Sequence, residues 1–129
     1  MIANADGDDS TIDPNEIIWR RIPENQVIFD NNLNRKRPSS ACFNQDGRDG
    51  PISVYIASEA ISASLVMQGG KERYLVSLTI DFVRKLGLDV VRDPSSGGPG
   101  HALILGRKTN GIQSNLAKTA VWVPPYQPQ

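Results

Sequence analysis

Residues 73–92, RYLVSLTIDFVRKLGLDVVR, carry the clearest structural signal in the chain. Residues 73–78 are rich in β-forming side chains and are typical of a strand. Thr79 suits the N-cap of a helix, and Gly87 suits the position at which that helix ends. A second β-forming run follows at 88–92. This stretch therefore predicts a strand, a helix and a strand in succession.

Comparable patterns on both sides of this stretch extend the prediction to the rest of the chain. We predict further strands at 16–22, 26–29, 52–56 and 101–105, either a last strand or a packed apolar coil at 121–123, and further helices at 58–68 and 112–120. These elements predict an α+β fold in which a small mixed or antiparallel sheet of about 4–6 strands packs with three helices.

The length of 129 residues is typical of one domain with one apolar core. We predict a single α+β domain at 15–123 between an acidic flexible tail at 1–14 and a Pro-rich tail at 124–129. Residues 1–16 contain five acidic and no basic residues, although the whole chain has no net charge. The acidic segment either is a solvated tail or lies over a basic surface and competes with an anionic ligand.

Composition excludes several classes of protein. No apolar run approaches the roughly 20 residues that span a bilayer, and the N-terminus lacks the pattern of a secretory signal. Cys42 is the only cysteine, which excludes a disulfide within one chain and a cysteine-based metal cluster. We therefore expect a soluble, cytoplasmic protein with no cofactor, no metal and no membrane partner.

The polar segment 30–51 is predicted to be a long loop, and long ordered loops are often functional. Its basic run, Arg35-Lys36-Arg37, precedes the hydroxyls of Ser39 and Ser40. Guanidinium groups and hydroxyls together can bind phosphate. The alternative is a turn with a solvated basic face. Arg21 joins this candidate site only if its side chain reaches the same surface.

His101 is the only histidine, so any acid–base chemistry that needs imidazole depends on it. The alternative is a histidine at the edge of the core with a local hydrogen bond. Ser39, Ser40 or Ser53 could pair with it as a nucleophile, although no G-x-S-x-G turn surrounds any of them. Cys42 could also pair with it, but its apolar neighbours favour a buried structural cysteine.

Other features favour structural roles. The loop at 93–100 is rich in glycine, yet it matches neither the P-loop nor G-x-G-x-x-G, and a strand follows it. Trp19 and Trp122 are each flanked by β-forming residues, which favours packing in the core over stacking on bases.

The motifs W-R-R-I at 19–22, R-P-S-S-A-C-F at 37–43, S-V at 53–54 and H-A-L at 101–103 resemble those of an uncharacterised group of short prokaryotic proteins. The resemblance covers about residues 17–123. It implies no activity, and it directs attention to the polar positions Arg37, Ser39, Ser40 and His101.

Two functions of different classes follow. The first is a small intracellular binding or protein-interaction module, in which the basic loop recognises a protein partner or an anionic small molecule, with nucleic acid less favoured. The second is an enzyme for a phosphate-bearing substrate such as a nucleotide, a dinucleotide or an RNA end. In the second, Arg21, Arg37 and Ser39 bind the ligand, and His101 and Ser40 are catalytic. The enzyme hypothesis predicts that His101 lies close to Arg37 and Ser39.

Overall fold

A computed structural model describes residues 7–44 and 46–129 of the chain. It confirms the predicted α+β fold, with three α-helices in the described residues, a six-stranded sheet and a separate two-stranded sheet. The strands are β1 (Ile17–Ile22), β2 (Val27–Asp30), β3 (Arg35–Pro38), β4 (Ile52–Ile56), β5 (Tyr74–Thr79), β6 (Asp89–Arg92), β7 (His101–Leu105) and β8 (Val121–Trp122). The helices are α1 (Ala63–Gln68), α2 (Ile80–Lys85) and α3 (Asn110–Thr119).

The large sheet has the strand order β6-β7-β4-β1-β5-β8, and each described pair of neighbours is antiparallel. Because side chains alternate along a strand, each strand contributes to both faces of the sheet. On β4, Ile52, Val54 and Ile56 belong to the main core, whereas Ser53 and Tyr55 lie on the opposite, outer face.

Both faces of the sheet are packed, but to different extents. Ile80 and Val83 of α2 and Leu116 of α3 join the main apolar cluster on the inner face. On the outer face, Val66 of α1 packs in a smaller cluster with Tyr55. The short α1 covers only part of the outer face. Ser53, on the same face, is exposed.

The signals at 79–87 act as predicted. Thr79 Oγ1 accepts a hydrogen bond from the N–H of Phe82 at 3.2 Å and caps α2. Lys85 Nζ lies 2.9 Å from a carboxylate oxygen of Asp81, one helical turn earlier. Gly87 has a φ of +85°, a conformation that glycine adopts without strain.

Helix α1 begins later than the predicted residue 58. Ile61 has a φ of +73°, which is incompatible with a continuous right-handed helix. The helix starts after Ser62, whose hydroxyl accepts from the N–H of Leu65 at 3.1 Å. Residues 57–61 form turns and bends instead.

The predicted long loop at 30–51 is wrong for its first part, because β2 and β3 form a hairpin. Asp30 Oδ1 accepts from the N–H groups of Asn32 and Leu33 and holds the turn. Arg35, in β3, donates to the carbonyl of Lys118 in α3. The charged strand β3 is thus stabilised by contacts with residues that are distant in the sequence. The local composition does not indicate such contacts.

Residues 7–14 of the expected acidic tail contact the domain, and residues 1–6 lie outside the described residues. Ile12 is fully buried in the main core. Asp9 donates its N–H to the carbonyl of Val90, and Asp8 lies 3.0 Å from Arg84. Packed structure therefore begins before residue 15.

The C-terminal residues also contact the domain. Leu75 donates its N–H to the carbonyl of Tyr126, and the Lys36 ammonium donates to the carbonyl of Gln129. Among the described residues, no helix is both long and apolar enough to cross a membrane.

Candidate active site

The outer face of the sheet brings His101 beside Ser53. Strands β4 and β7 pair so that Tyr55 lies opposite His101 and Ser53 lies opposite Leu103. Since Ser53 and Tyr55 are two residues apart, their side chains project from the same face. The predicted strand beginning at His101 is confirmed, and its first residue lies at the end of the sheet next to the 93–100 loop.

His101 is hydrogen-bonded through both ring nitrogens. Its Nε2 lies 3.1 Å from Ser53 Oγ, and its Nδ1 lies 3.1 Å from Asp93 Oδ2. These are ordinary hydrogen-bond distances. The three side chains therefore form a continuous chain of polar contacts from Asp93 to Ser53.

The environment of Asp93 indicates which ring nitrogen of His101 carries a proton. The hydroxyl of Ser96 donates to Asp93 at 2.8 Å, and that of Ser95 donates at 3.0 Å. These bonds, Ser96 first, lower the pKa of the Asp93 carboxyl below its ordinary value. An ionised carboxylate only accepts, so Nδ1 of His101 donates to Asp93; in the neutral imidazole, Nε2 is then the acceptor for the Ser53 hydroxyl.

Packing fixes the imidazole ring. The Tyr55 ring meets it edge to face, with centroids 5.2 Å apart and an interplanar angle of 62°. The backbone of Gly97 lies so close that a Cβ there would be 2.4 Å from the ring Cγ. His101 is only 7% exposed, whereas Ser53 is exposed. Among these hydrogen-bonded side chains, the Ser53 hydroxyl is therefore the group that is accessible to solvent.

A cleft lies beside this chain, between α1 and the 93–100 loop. The cleft is small and open to solvent, and its room for water-sized groups is about 30 Å³. Its walls include Ala60, Leu65, Val66 and Pro99, together with Tyr55 and Gly97. The last two are the residues that pack on the His101 ring, so the cleft and the hydrogen-bonded chain are adjacent.

Two arginines stabilise the strands beneath the site. Arg21 lies over the Tyr55 ring at 5.3 Å, donates to the carbonyl of Val66 at 3.0 Å, and has its Nε 3.4 Å from Glu72. Arg20 lies on the inner side and is buried. It donates to the carbonyls of Ser53 and Cys42, each at 2.7 Å, and so supports β4 at the serine.

Comparison of the chain with protein-family models, with curated proteins and with solved structures finds no match.

Three of the candidate residues, Arg37, Ser39 and Ser40, lie in β3 or directly after it rather than in the six-stranded sheet that holds His101. Arg37 Nε lies 2.7 Å from Asp30 Oδ2 inside the β2–β3 hairpin, and both side chains are buried. Ser39 donates to the side-chain oxygen of Gln26 at 2.6 Å. Ser40 is the first residue of a 3-10 helix at Ser40–Phe43. Within the described residues, no hydrogen bond or ion pair joins any of these to His101.

Cys42 and the two tryptophans lie at buried or partly buried positions. Cys42 is buried, and burial raises the pKa of its thiol, as suits a structural cysteine. Trp19 and Trp122 are partly buried and pack against the edges of the two apolar clusters. In the part of the chain that the structure describes, no group of three or more His, Cys, Asp and Glu side chains could hold a metal ion.

Asp93 is the residue that the sequence analysis missed. The composition of residues 93–100 predicts a turn-forming loop and does not single out Asp93. The two strands that flank this loop, 88–92 and 101–105, form an antiparallel hairpin, and Asp93 donates its N–H to the carbonyl of His101 at 2.9 Å. Recognising that hairpin would have placed the carboxylate opposite the only histidine.

Proposed function

We propose that this protein is a hydrolase that transfers an acyl group to Ser53 and then to water. His101 is the general base and Asp93 orients it. The observation that carries the proposal is the continuous hydrogen bonding from Asp93 Oδ2 through both His101 nitrogens to Ser53 Oγ, at 3.1 Å on each side. A nucleophile bonded to a base that is itself oriented by a third group is the arrangement that activates a serine.

The reaction on an ester proceeds in two balanced steps. Ser53 Oγ forms a bond to the carbonyl carbon while His101 Nε2 takes the hydroxyl proton. The bond from carbon to the leaving oxygen then breaks, and His101 returns the proton to the departing alcohol. In the second step a water molecule attacks the acyl-serine, His101 accepts the water proton and then protonates Ser53 Oγ, and the acid is released.

The transient oxyanion requires hydrogen-bond donors, and we assign this role to backbone N–H groups of the 93–100 loop. The loop borders both the cleft and the His101 ring through Gly97. Gly97, Gly98 and Gly100 all have positive φ values. Such turns let successive N–H groups converge on an anion. Ser53 lies within a strand rather than at a strand-to-helix turn, so this arrangement differs from the α/β-hydrolase site.

The charges favour acyl transfer over phosphate chemistry. Of the four cations considered as ligands, Arg21 has Glu72 beside it and Arg37 is paired with Asp30. Arg35, in the same basic run as Arg37, donates to the carbonyl of Lys118. Each of these groups already serves a contact within the fold, which also weakens the hypothesis of a basic recognition loop.

The experiment is covalent labelling with a fluorophosphonate probe, together with hydrolysis of p-nitrophenyl acetate. We expect Ser53→Ala to abolish both. Asp93→Asn should lower the rate by about 10²–10⁴-fold, because loss of the carboxylate removes the oriented base. Ser77→Ala is the matched control. Ser77 lies in β5 of the same sheet, and its hydroxyl donates to the carbonyl of Val121.

Two results would overturn the proposal. One is a wild-type protein that neither reacts with the probe nor hydrolyses the ester. The other is activity that survives in Ser53→Ala at the level of Ser77→Ala.

A further inference from the structure

We infer that the outer edge of β2 pairs with the same edge of a second copy of this chain, so that two hairpins form one four-stranded sheet across a two-fold axis. The inference concerns the β2–β3 hairpin and is independent of the proposed function, whose serine and histidine lie in the six-stranded sheet. An unpaired strand edge presents N–H and C=O groups with which another chain can pair.

The hydrogen bonding of the hairpin decides which groups of β2 face outward. Ser39 donates its N–H to the carbonyl of Gln26, so these two residues form a hydrogen-bonded pair. Bonded and non-bonded pairs alternate along an antiparallel ladder, and Val27 and Phe29 therefore direct their N–H and C=O groups away from β3. No described residue forms a hydrogen bond with these outward groups.

The outer edge of β3 is blocked, in contrast to that of β2. Lys36 lies opposite Phe29, and Pro38 lies opposite Val27, so their backbone groups also face outward. Pro38 has no N–H, and the carbonyl of Lys36 accepts from Trp122 Nε1 at 3.1 Å. Of the two hairpin edges in the described structure, the β2 edge is therefore the open one.

The side chains on the open edge are apolar and exposed. Ile28 is 41% exposed and Phe29 is 55% exposed. Natural sheets protect exposed edges with lysine, proline or a bulge, and β2 has none of these. Its one charged side chain, Asp30, is buried and paired with Arg37 inside the hairpin. The composition of β2 is therefore typical of an edge that is covered.

The strand is complementary to itself, which favours a second copy as the occupant. When a two-fold axis passes beside Ile28, Val27 of each copy lies opposite Phe29 of the other, and the two Ile28 residues lie opposite each other. This register joins every outward N–H to an outward C=O. The facing positions are all apolar, so no like charges meet, and the pairing of an aromatic with a β-branched side chain is favourable.

The size of the edge limits the strength of this association. Strand β2 has four residues. The contact is therefore smaller than the roughly 1,200 Å² at the lower limit of stable interfaces, and it belongs to the weak, transient class. We expect a dimer that forms only at high protein concentration.

The first experiment measures sedimentation and residue-resolved amide exchange of the wild-type protein between about 10 μM and about 1 mM. The average mass should rise towards that of a dimer. Amide exchange at Val27 and Phe29 should become slower over the same range, whereas that at Ile28, which already bonds to β3, should not. A protein that stays monomeric, or that associates without protecting Val27 and Phe29, overturns the inference.

The second experiment traps the dimer and tests its register. Two Ile28 residues in a non-hydrogen-bonded pair have Cα atoms about 4.5 Å apart, which a disulfide can span. Under mild oxidation, Ile28→Cys should form a covalent dimer at least about tenfold faster than Leu33→Cys. Leu33 is a matched control, because it is 40% exposed but lies in the hairpin turn, and the two turns are at opposite ends of the proposed sheet. The native Cys42 is buried. Equal rates for the two variants overturn the inference.

The third experiment asks whether backbone pairing carries the contact. In the Ile28→Cys protein, Phe29→Ala removes the ring and keeps the outward N–H, whereas Phe29→Pro removes both. Proline on this edge leaves the bonds to β3 intact, as Pro38 does on the other edge. We expect Phe29→Ala to slow cross-linking several-fold and Phe29→Pro to abolish it, with thermal unfolding confirming that each variant folds. Cross-linking that is as fast in the folded Phe29→Pro variant as in Phe29→Ala overturns the inference.

Discussion

The backbone of Gly97 lies against the imidazole of His101, so that a Cβ at position 97 would be 2.4 Å from the ring Cγ and 2.5 Å from Cδ2. Gly97 also has a φ of +77°. Two separate constraints therefore require glycine at this position: the backbone conformation and the contact with the ring. The contact holds the ring in the orientation that aims Nε2 at Ser53.

Gly97→Ala should reduce the reactivity of Ser53, and Gly98→Ala is its matched control. Both positions have positive φ, but a Cβ at Gly98 meets no atom within 4 Å. The control should cost about 1–2 kcal/mol of stability from backbone strain alone. Gly97→Ala should cost a further 1–3 kcal/mol, roughly, from overpacking, and should slow probe labelling by at least about tenfold because the ring must move. Equal labelling of the two variants would contradict this role.

Asp30 should make the stability of the fold sensitive to acid. The hydrogen bond from Arg37, followed by that from the Leu33 N–H, lowers the pKa of the Asp30 carboxyl. The unfolded chain then binds more protons, so this contribution is present above about pH 4 and is lost as the pH falls through the folded pKa. Urea unfolding across this range should show that Asp30→Asn is less stable than the wild type at neutral pH and less sensitive to acid.

The control for Asp30 is Asp81→Asn, which breaks only a largely exposed helical pair with Lys85. Asp81→Asn should change the free energy of unfolding at neutral pH only slightly. If Asp30→Asn is as stable as this control, the ion pair inside the hairpin does not stabilise the fold.

Ile12→Ala tests whether residues 7–14 are part of the folded unit. Ile12 is fully buried in the main core, so its truncation should destabilise the protein by about 2–5 kcal/mol. Ile17→Ala removes the same atoms from a side chain that is 44% exposed, and should cost under about 1 kcal/mol. Chemical denaturation measures both, and an equally small effect for the two variants would mean that the segment is detached in solution.

Lys108 should give the protein a stability that increases at alkaline pH. Its side chain is fully buried, and its ammonium donates to the carbonyl of Gly106 at 2.7 Å. Burial lowers the pKa of this amine, which the Asp49 carboxylate offsets only in part. The unfolded chain keeps its proton up to about pH 10.4, so stability rises as the pH climbs through the folded pKa towards that value.

Lys108→Met should remove this rise, and the exposed Lys118→Met should keep it. The measurement is the free energy of unfolding of the three proteins at neutral pH and at about pH 10. Parallel pH profiles for the wild type and Lys108→Met would show that the buried amine does not titrate differently on folding.

Short-range patterns were sufficient for the elements with local signals. The cap at Thr79, the stop at Gly87 and the alternation at 52–56 all act between residues a few positions apart, and each led to the correct element. Even there, the start of α1 was misplaced, because Ile61 adopts a conformation that is unusual for a β-branched residue.

Short-range sequence patterns could predict only part of the candidate site. His101 was identifiable as the only histidine, and Ser53 as one of several serines. Which serine it meets depends on the register of β4 against β7, which joins residues 48 positions apart. The basic run at 35–37 suggested a ligand site, but Asp30 accepts from Arg37 within the folded hairpin.

The amino-acid sequence by itself determined an α+β fold with a small sheet, either mixed or antiparallel, because strand alternation and helix caps are properties of neighbouring residues. Only the tertiary structure decided that Ser53, His101 and Asp93 form one hydrogen-bonded chain and that Arg37 and Asp30 form an ion pair. The physical reason is that polar groups form hydrogen bonds and ion pairs with whichever groups the sheet register and packing bring within about 3 Å. Which groups these are cannot be deduced from their positions along the sequence.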